Sequence, residues 1–106
     1  MSRILKDTVV GIEILQSEDY EKWFESLHDT QTRARISIRL RRLSLGNPGD
    51  VRPVGSGVSE LRVDYGPGYR IYFITRGATK VILLGGGDKG TQRQDIERAI
   101  ELARNL

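Results

Sequence analysis

The chain contains no cysteine and a single histidine, and these two shortages remove much of the usual chemical repertoire. Without cysteine there are no disulfides, no thiolate nucleophile and no thiolate metal ligand. A Ser-His-Asp triad or a histidine-based metal site would have to pass through His28 alone, so neither is expected. No metal cluster and no cofactor motif stands out. Long apolar runs are also missing: nothing approaches the roughly 20 residues that a membrane-spanning helix needs. The N-terminal MSRILKDTVV lacks the apolar stretch of a signal peptide. A cytoplasmic protein without a membrane partner is the expectation.

The length, 106 residues, suits one small domain spanning 1–106. Seventeen Lys+Arg face fourteen Asp+Glu, a net charge of +3. That mild basicity permits nucleic-acid binding, but on charge alone an ordinary solvated surface is the better explanation. Most of the basic residues are arginine, whose planar fork suits phosphate and carboxylate.

Residues 8–16, TVVGIEILQ, alternate as a first strand would. Ser17 can cap a following helix, with Glu18 and Asp19 in its first turn. Tyr20, Trp23, Phe24 and Leu27 recur at i, i+3, i+4 and i+7, one apolar helical face, and read as core rather than base-stacking residues. His28 and Asp29 are expected where this helix ends. Residues 30–45 alternate like a strand, yet their Arg and Leu content, their length and the Gly46-Asn47-Pro48-Gly49 stop predict a helix. That helix carries two apolar stripes, Ile36/Leu40/Leu43 and Ala34/Ile38/Leu45. Between them lie Arg33, Arg35, Arg39, Arg41 and Arg42, either a phosphate-facing ridge or a solvated surface.

Residues 46–59 are expected to loop, with 51–54 extended at most. Glu60 to Phe73, ELRVDYGPGYRIYF, reads as a hairpin turning at Gly66-Pro67-Gly68. The odd positions are apolar or aromatic. The even positions Glu60, Arg62, Asp64, Arg70 and Tyr72 form the other face, because alternate strand residues point to opposite sides. A three-residue turn would set Tyr65 opposite Tyr69, Asp64 opposite Arg70 and Arg62 opposite Tyr72. Asp64–Arg70 is then either a surface ion pair, worth less than about 1 kcal/mol, or an acid steadying a phosphate-gripping arginine. Thr79–Leu84 suits a strand covered on both faces. Gly85-Gly86-Gly87 is expected to end it, and residues 91–106 to form a last helix with Ile96, Ala99, Ile100 and Ala103 inward. The GxxxxGK[ST] spacing of a P-loop is absent, since Lys89 precedes Gly90. Lys89 instead projects beyond the sheet beside the hairpin's polar face. Strands mixed with segregated helices make an α+β domain.

Trp23-Phe24 in an early helix, an arginine-rich second helix, ELRVDYGPGYRIYF and LLGGGDKGTQRQDIERA follow one another in this order. Over about Glu18 to Leu106, this order resembles the RelE/ParE toxin superfamily, most closely its HigB-like, addiction-module killer branch. The resemblance implies two N-terminal helices on a curved, mostly antiparallel sheet of about four strands, with a C-terminal helix. It implies the toxin of a type II toxin–antitoxin module. That toxin would be a ribosome-dependent mRNA endoribonuclease, needing no metal or cofactor, that inhibits translation. The cognate antitoxin would be a small helix-turn-helix protein, and operator DNA would be met only through the toxin–antitoxin complex. Fold does not settle function, and a ParE-like gyrase inhibitor or an inactive antitoxin-binding relative are the alternatives.

Carried over by residue, Arg70 matches the arginine on the scissile phosphate, Arg62 a basic position on the preceding strand, and Lys89 the basic residue after the last strand. The reaction implied is attack of an RNA 2′-hydroxyl on the adjacent phosphorus, leaving a 2′,3′-cyclic phosphate and a 5′-hydroxyl. The family's C-terminal Tyr or His has no counterpart, since Tyr72 is the last tyrosine and His28 the only histidine. Gln92 and Asp95 occupy that neighbourhood, and Asp64 and Tyr72 complete the candidate supporting set. The second apolar stripe of residues 34–45 is a candidate groove for the antitoxin.

Overall fold

The structure, a computed structural model, describes residues 11–106. It contains β1 (Glu13–Gln16), α1 (Glu18–Glu25), α2 (Thr30–Ser44), β2 (Val51–Gly55), β3 (Val58–Val63), β4 (Tyr69–Arg76) and β5 (Lys80–Asp88). A 3-10 turn (Lys89–Thr91) then leads into α3 (Gln92–Arg104). The strands form one sheet in the order β1-β5-β4-β3-β2. β1 runs parallel to β5, and the other neighbours are antiparallel. This is the expected α+β, RelE-like architecture. No helix among the described residues is long and apolar enough to cross a membrane. Residues 8–10 of the expected first strand lie outside the described residues.

The sheet has five strands rather than four because Val51–Gly55, read from sequence as loop, pairs with β3. Gly55, Ser56 and Gly57 all take positive φ, which turns the chain back within two residues of β2's end. Pro53 is tolerated because β2 is an edge strand, where a missing N–H costs no ladder bond on its outer side.

Ser17 caps α1 by accepting the Tyr20 N–H at 3.1 Å, and its hydroxyl donates to the Leu84 carbonyl at 3.0 Å. One side chain thereby starts the helix and ties it to β5. α1 stops at Glu25, earlier than expected. His28 falls in the link, and Asp29 opens the next helix instead of closing this one. Its carboxylate accepts the Thr32 N–H at 3.3 Å and the Thr32 hydroxyl at 2.6 Å.

Helices α1 and α2 cover one face of the sheet. Tyr20, Ile36 and Leu43 meet Leu61, Val63, Ile71, Phe73, Val81 and Leu83 there, with Trp23, Phe24 and Leu27 packed alongside. Helix α3 covers part of the other face, where Ala99 and its neighbours Ile96, Ile100 and Ala103 meet Val58, Tyr72, Ile74 and Leu84. Both faces of β5 are therefore covered, as its apolar run predicts. Of the two stripes on α2, only the first is inward: Ile38 remains 50% exposed and Leu45 63%.

Gly85-Gly86-Gly87 does not end β5. All three glycines pair with β4, opposite Tyr72, Ile71 and Arg70. At Gly86 and Gly87 smallness serves packing. A Cβ on Gly86 would lie 2.5–2.6 Å from atoms of the Trp23 ring, and one on Gly87 would overlap the Asp95 carboxylate. Nothing stands within 4 Å of a Cβ on Gly85.

Candidate functional site

The β3–β4 hairpin organises the site, and its register differs from the expected one. Arg62 lies opposite Arg70, Glu60 opposite Tyr72 and Val63 opposite Tyr69. The connection is the five residues 64–68, with Gly66 and Gly68 at φ 58° and 85°. Tyr65 leaves the ladder for α2, where its hydroxyl contacts Gln31 Oε1 at 3.2 Å and the Arg35 guanidinium sits 4.3 Å from its ring centre. The shift amounts to two residues, so every side chain keeps its face. Partners change, however. Asp64 is not paired with Arg70; it stands exposed in the loop. The even face is also not wholly open, since Tyr72 and Ile74 are buried beneath α3.

Past the end of α3's cover, the even face opens into a groove of about 330 Å³ lined by Asp50, Arg62, Asp64, Tyr69, Arg70 and Lys89, with the glycines of the turn. The structure thus brings Arg62, Arg70 and Lys89 together, with Asp64 at the same rim. Lys89 arrives there because Asp88 pairs with Tyr69, which leaves the Lys89 Cβ over Gly68. Arg62 is steadied by Asp50, whose carboxylate lies 3.5 Å from its Nε and whose carbonyl accepts its backbone N–H at 3.0 Å.

Arg70 is only 8% exposed. Its Nη1 donates to Glu60 Oε1 at 3.1 Å, while its buried Nε–H has no acceptor among the described residues. Glu60 is fully buried. Its Oε2 accepts from the Tyr72 hydroxyl at 3.2 Å and from Gln92 Nε2 at 2.9 Å. The Arg52 Nε lies 3.9 Å from Oε1. Burial, and then the adjoining Glu60 carboxylate, push the Tyr72 hydroxyl well above the ordinary tyrosine range, only partly offset by Arg70. Tyr72 and Gln92 therefore stand behind Arg70, around Glu60, and do not line the groove.

Asp95 belongs elsewhere. It accepts the Thr91 hydroxyl at 2.5 Å, packs on Gly87, and lines a separate groove with Asp19, Trp23 and Arg98. Sequence reasoning did not single out Glu60 or Asp50. Glu60 shared the parity of Arg62, Arg70 and Tyr72, and that was its available signal. Nothing in the loop marked Asp50.

The arginines of α2 divide by role. Arg33 donates to the carbonyls of Leu27 at 2.6 Å and of Phe24 and Glu25 at 3.3 Å, closing the C-terminal end of α1. Arg39 binds the carbonyls of Arg62 and Pro48, bracing α2 against β3 and the loop. Arg41 and Arg42 stay exposed. Arg35, Arg39 and Arg42 line a groove of about 280 Å³ beside the exposed Ile38. The ridge is therefore partly structural and partly free surface.

An α+β domain with a cationic groove at the mouth of its central hairpin is the class that fold and site define. The family described as phage derived protein Gp49-like (DUF891) matches residues 22–106. A Haemophilus influenzae protein, described as uncharacterized, is 42% identical over 95 residues, 90% of this chain and 96% of that protein. The chain belongs to the Gp49-like family.

Proposed function

We propose that this chain is the toxin of a type II toxin–antitoxin pair. In this reading it acts in the cytoplasm as a metal-independent endoribonuclease that cuts mRNA on the ribosome. The observation that carries the reading is the groove in which Arg62, Arg70 and Lys89 converge, with Arg70 held by Glu60 and its Nε–H without an acceptor among the described residues. Three cations around one opening suit a phosphate that gains charge as the 2′-hydroxyl attacks it. The Gp49-like family is related to RelE- and HigB-type toxins, which supports the same reading.

Arg70 and Arg62 stabilise the pentacoordinate phosphate, an electrostatic role whose loss typically costs about 100–1000-fold in rate. Lys89, exposed at the groove, protonates the departing 5′-oxygen, and the proton of the attacking 2′-hydroxyl passes to solvent. Asp64 is the carboxylate at the rim nearest the turn. The ribosome lines up the 2′-hydroxyl, a positioning effect that supplies several kcal/mol by itself. The partner antitoxin, a small helix-turn-helix protein, covers the exposed Ile38 and Leu45 stripe and the neighbouring arginines of α2.

Expression of the chain without its antitoxin tests this. Growth arrest with loss of translation is expected, and Arg70→Ala is expected to relieve both while the protein stays folded. Arrest with inhibited DNA supercoiling and intact translation would assign the chain to gyrase poisoning instead. Absence of arrest would assign it to an inactive, antitoxin-binding role.

A further inference from the structure

Glu60 has no exposed surface, and a buried carboxylate is costly unless its lone pairs are used. Here they are used from three further elements. Arg70 and Tyr72 come from β4, Gln92 from the first residue of α3, and Arg52 approaches from β2. Two donors hold Oε2, so the carboxylate cannot turn without breaking both. The grip on Arg70 is made at Nη1. The Nε–H of the same guanidinium has no acceptor among the described residues. A guanidinium with a nitrogen to spare can still take an oxyanion through its other N–H groups.

We propose that Glu60 is a positioning residue, whose buried carboxylate fixes the Arg70 guanidinium by one nitrogen and keeps its remaining N–H groups for a phosphate oxygen. The proposal rests on the reading of the groove as a phosphate site. A donor already fixed in place needs no rearrangement when charge develops, which is why such groups stabilise transition states well. Tyr72 and Gln92 then act through Glu60, as its supports. They carry no proton to or from the RNA.

The test is NMR of the arginine Nε–H groups in the full chain, with inorganic phosphate as the probe. Arg70→Lys identifies the Arg70 resonance by removing it. In the wild type that resonance is expected to exchange slowly with water and to shift on adding phosphate. In Glu60→Gln, with circular dichroism unchanged, it is expected to exchange fast and lose the phosphate shift. Cleavage of translated mRNA at saturating message is expected to fall roughly 100-fold, as for other misplaced catalytic groups. If Glu60→Gln fails to fold, Tyr72→Phe serves, since it frees one side of the carboxylate and should raise the Arg70 exchange rate. Slow exchange with an intact phosphate shift in the folded variant overturns the positioning role. A wild-type resonance indifferent to phosphate overturns the phosphate-site reading instead, while the exchange rates still decide whether Glu60 holds Arg70.

Discussion

Alanine substitutions along Gly85-Gly86-Gly87 should separate three neighbours that look equivalent in sequence. None of the three takes the positive φ that would itself favour glycine. Gly85→Ala meets open space. It should leave stability unchanged or raise it by about 0.4–1 kcal/mol, because alanine restricts the unfolded chain more than glycine does. Gly87→Ala collides with the Asp95 carboxylate, the end of a side chain that can rotate away after giving up the Thr91 hydroxyl. Losing one exposed hydrogen bond costs about 0.5–1.5 kcal/mol, so a small net loss is expected. Gly86→Ala meets the Trp23 ring, 2.5–2.6 Å away, partly buried and packed against the core. The indole must move as a body, and overpacking of this kind costs about 1–3 kcal/mol. At roughly 4–8 °C per kcal/mol for a domain of this size, the Gly86 variant should melt about 4–24 °C below the wild type. Thermal and urea unfolding followed by circular dichroism would read all three. Equal stability of the Gly85 and Gly86 variants would refute the argument that Gly86 is there to seat Trp23. In the Trp23→Leu background, Gly86→Ala should cost much less.

Further outcomes follow from other parts of the structure. Tyr20 and Tyr72 both have their hydroxyls pushed up by burial. A folded value above the unfolded one means stability is full below about pH 10 and falls as pH rises past it. The slope should be about 1.4 kcal/mol per pH unit for each tyrosine, so Tyr72→Phe should roughly halve the alkaline loss in urea titrations at pH 10–11. Ser17→Ala should cost about 1 kcal/mol, or more, since the same hydroxyl also binds the Leu84 carbonyl. Ile38→Ser and Leu45→Ser should leave the melting temperature within a few degrees. They should weaken the complex with an antitoxin, measured by calorimetry, if that stripe is the docking face. Arg33→Ala should destabilise the chain measurably, because it frees carbonyls at the end of α1, whereas Arg41→Ala should not.

Period-2 alternation in residues 60–73 was enough to place Glu60, Arg62, Arg70 and Tyr72 on one face, because face membership survives a two-residue slip. It was not enough to pair them. The hairpin register depends on where Tyr65 goes, and its destination, Gln31 and Arg35 on α2, is some thirty positions away in sequence. For the same reason an Asp64–Arg70 pair looked natural, while the real partner of Arg70 is Glu60, reached diagonally across the ladder. The glycine run misled in a different way. Glycines usually punctuate a strand, but here they continue it, and only the positions of Trp23 and Asp95 reveal why. The short edge strand β2 has three exposed residues, one of them a proline, so no local pattern announced it. Helix α1 was legible because its Ser17 cap and its apolar spacing agree, α2 from its Arg and Leu content, its length and the Gly46-Asn47-Pro48-Gly49 stop, and α3 from the spacing of Ile96, Ala99, Ile100 and Ala103.

Whether the groove around Arg70 cleaves RNA is decided by mapping RNA ends in cells expressing this chain. New 5′-hydroxyl ends are expected inside translated messages, absent from the same messages without a start codon, and absent when Arg70→Ala is expressed at equal level. Identical ends with Arg70→Ala, or no new ends during growth arrest by the wild type, would contradict cleavage at this groove.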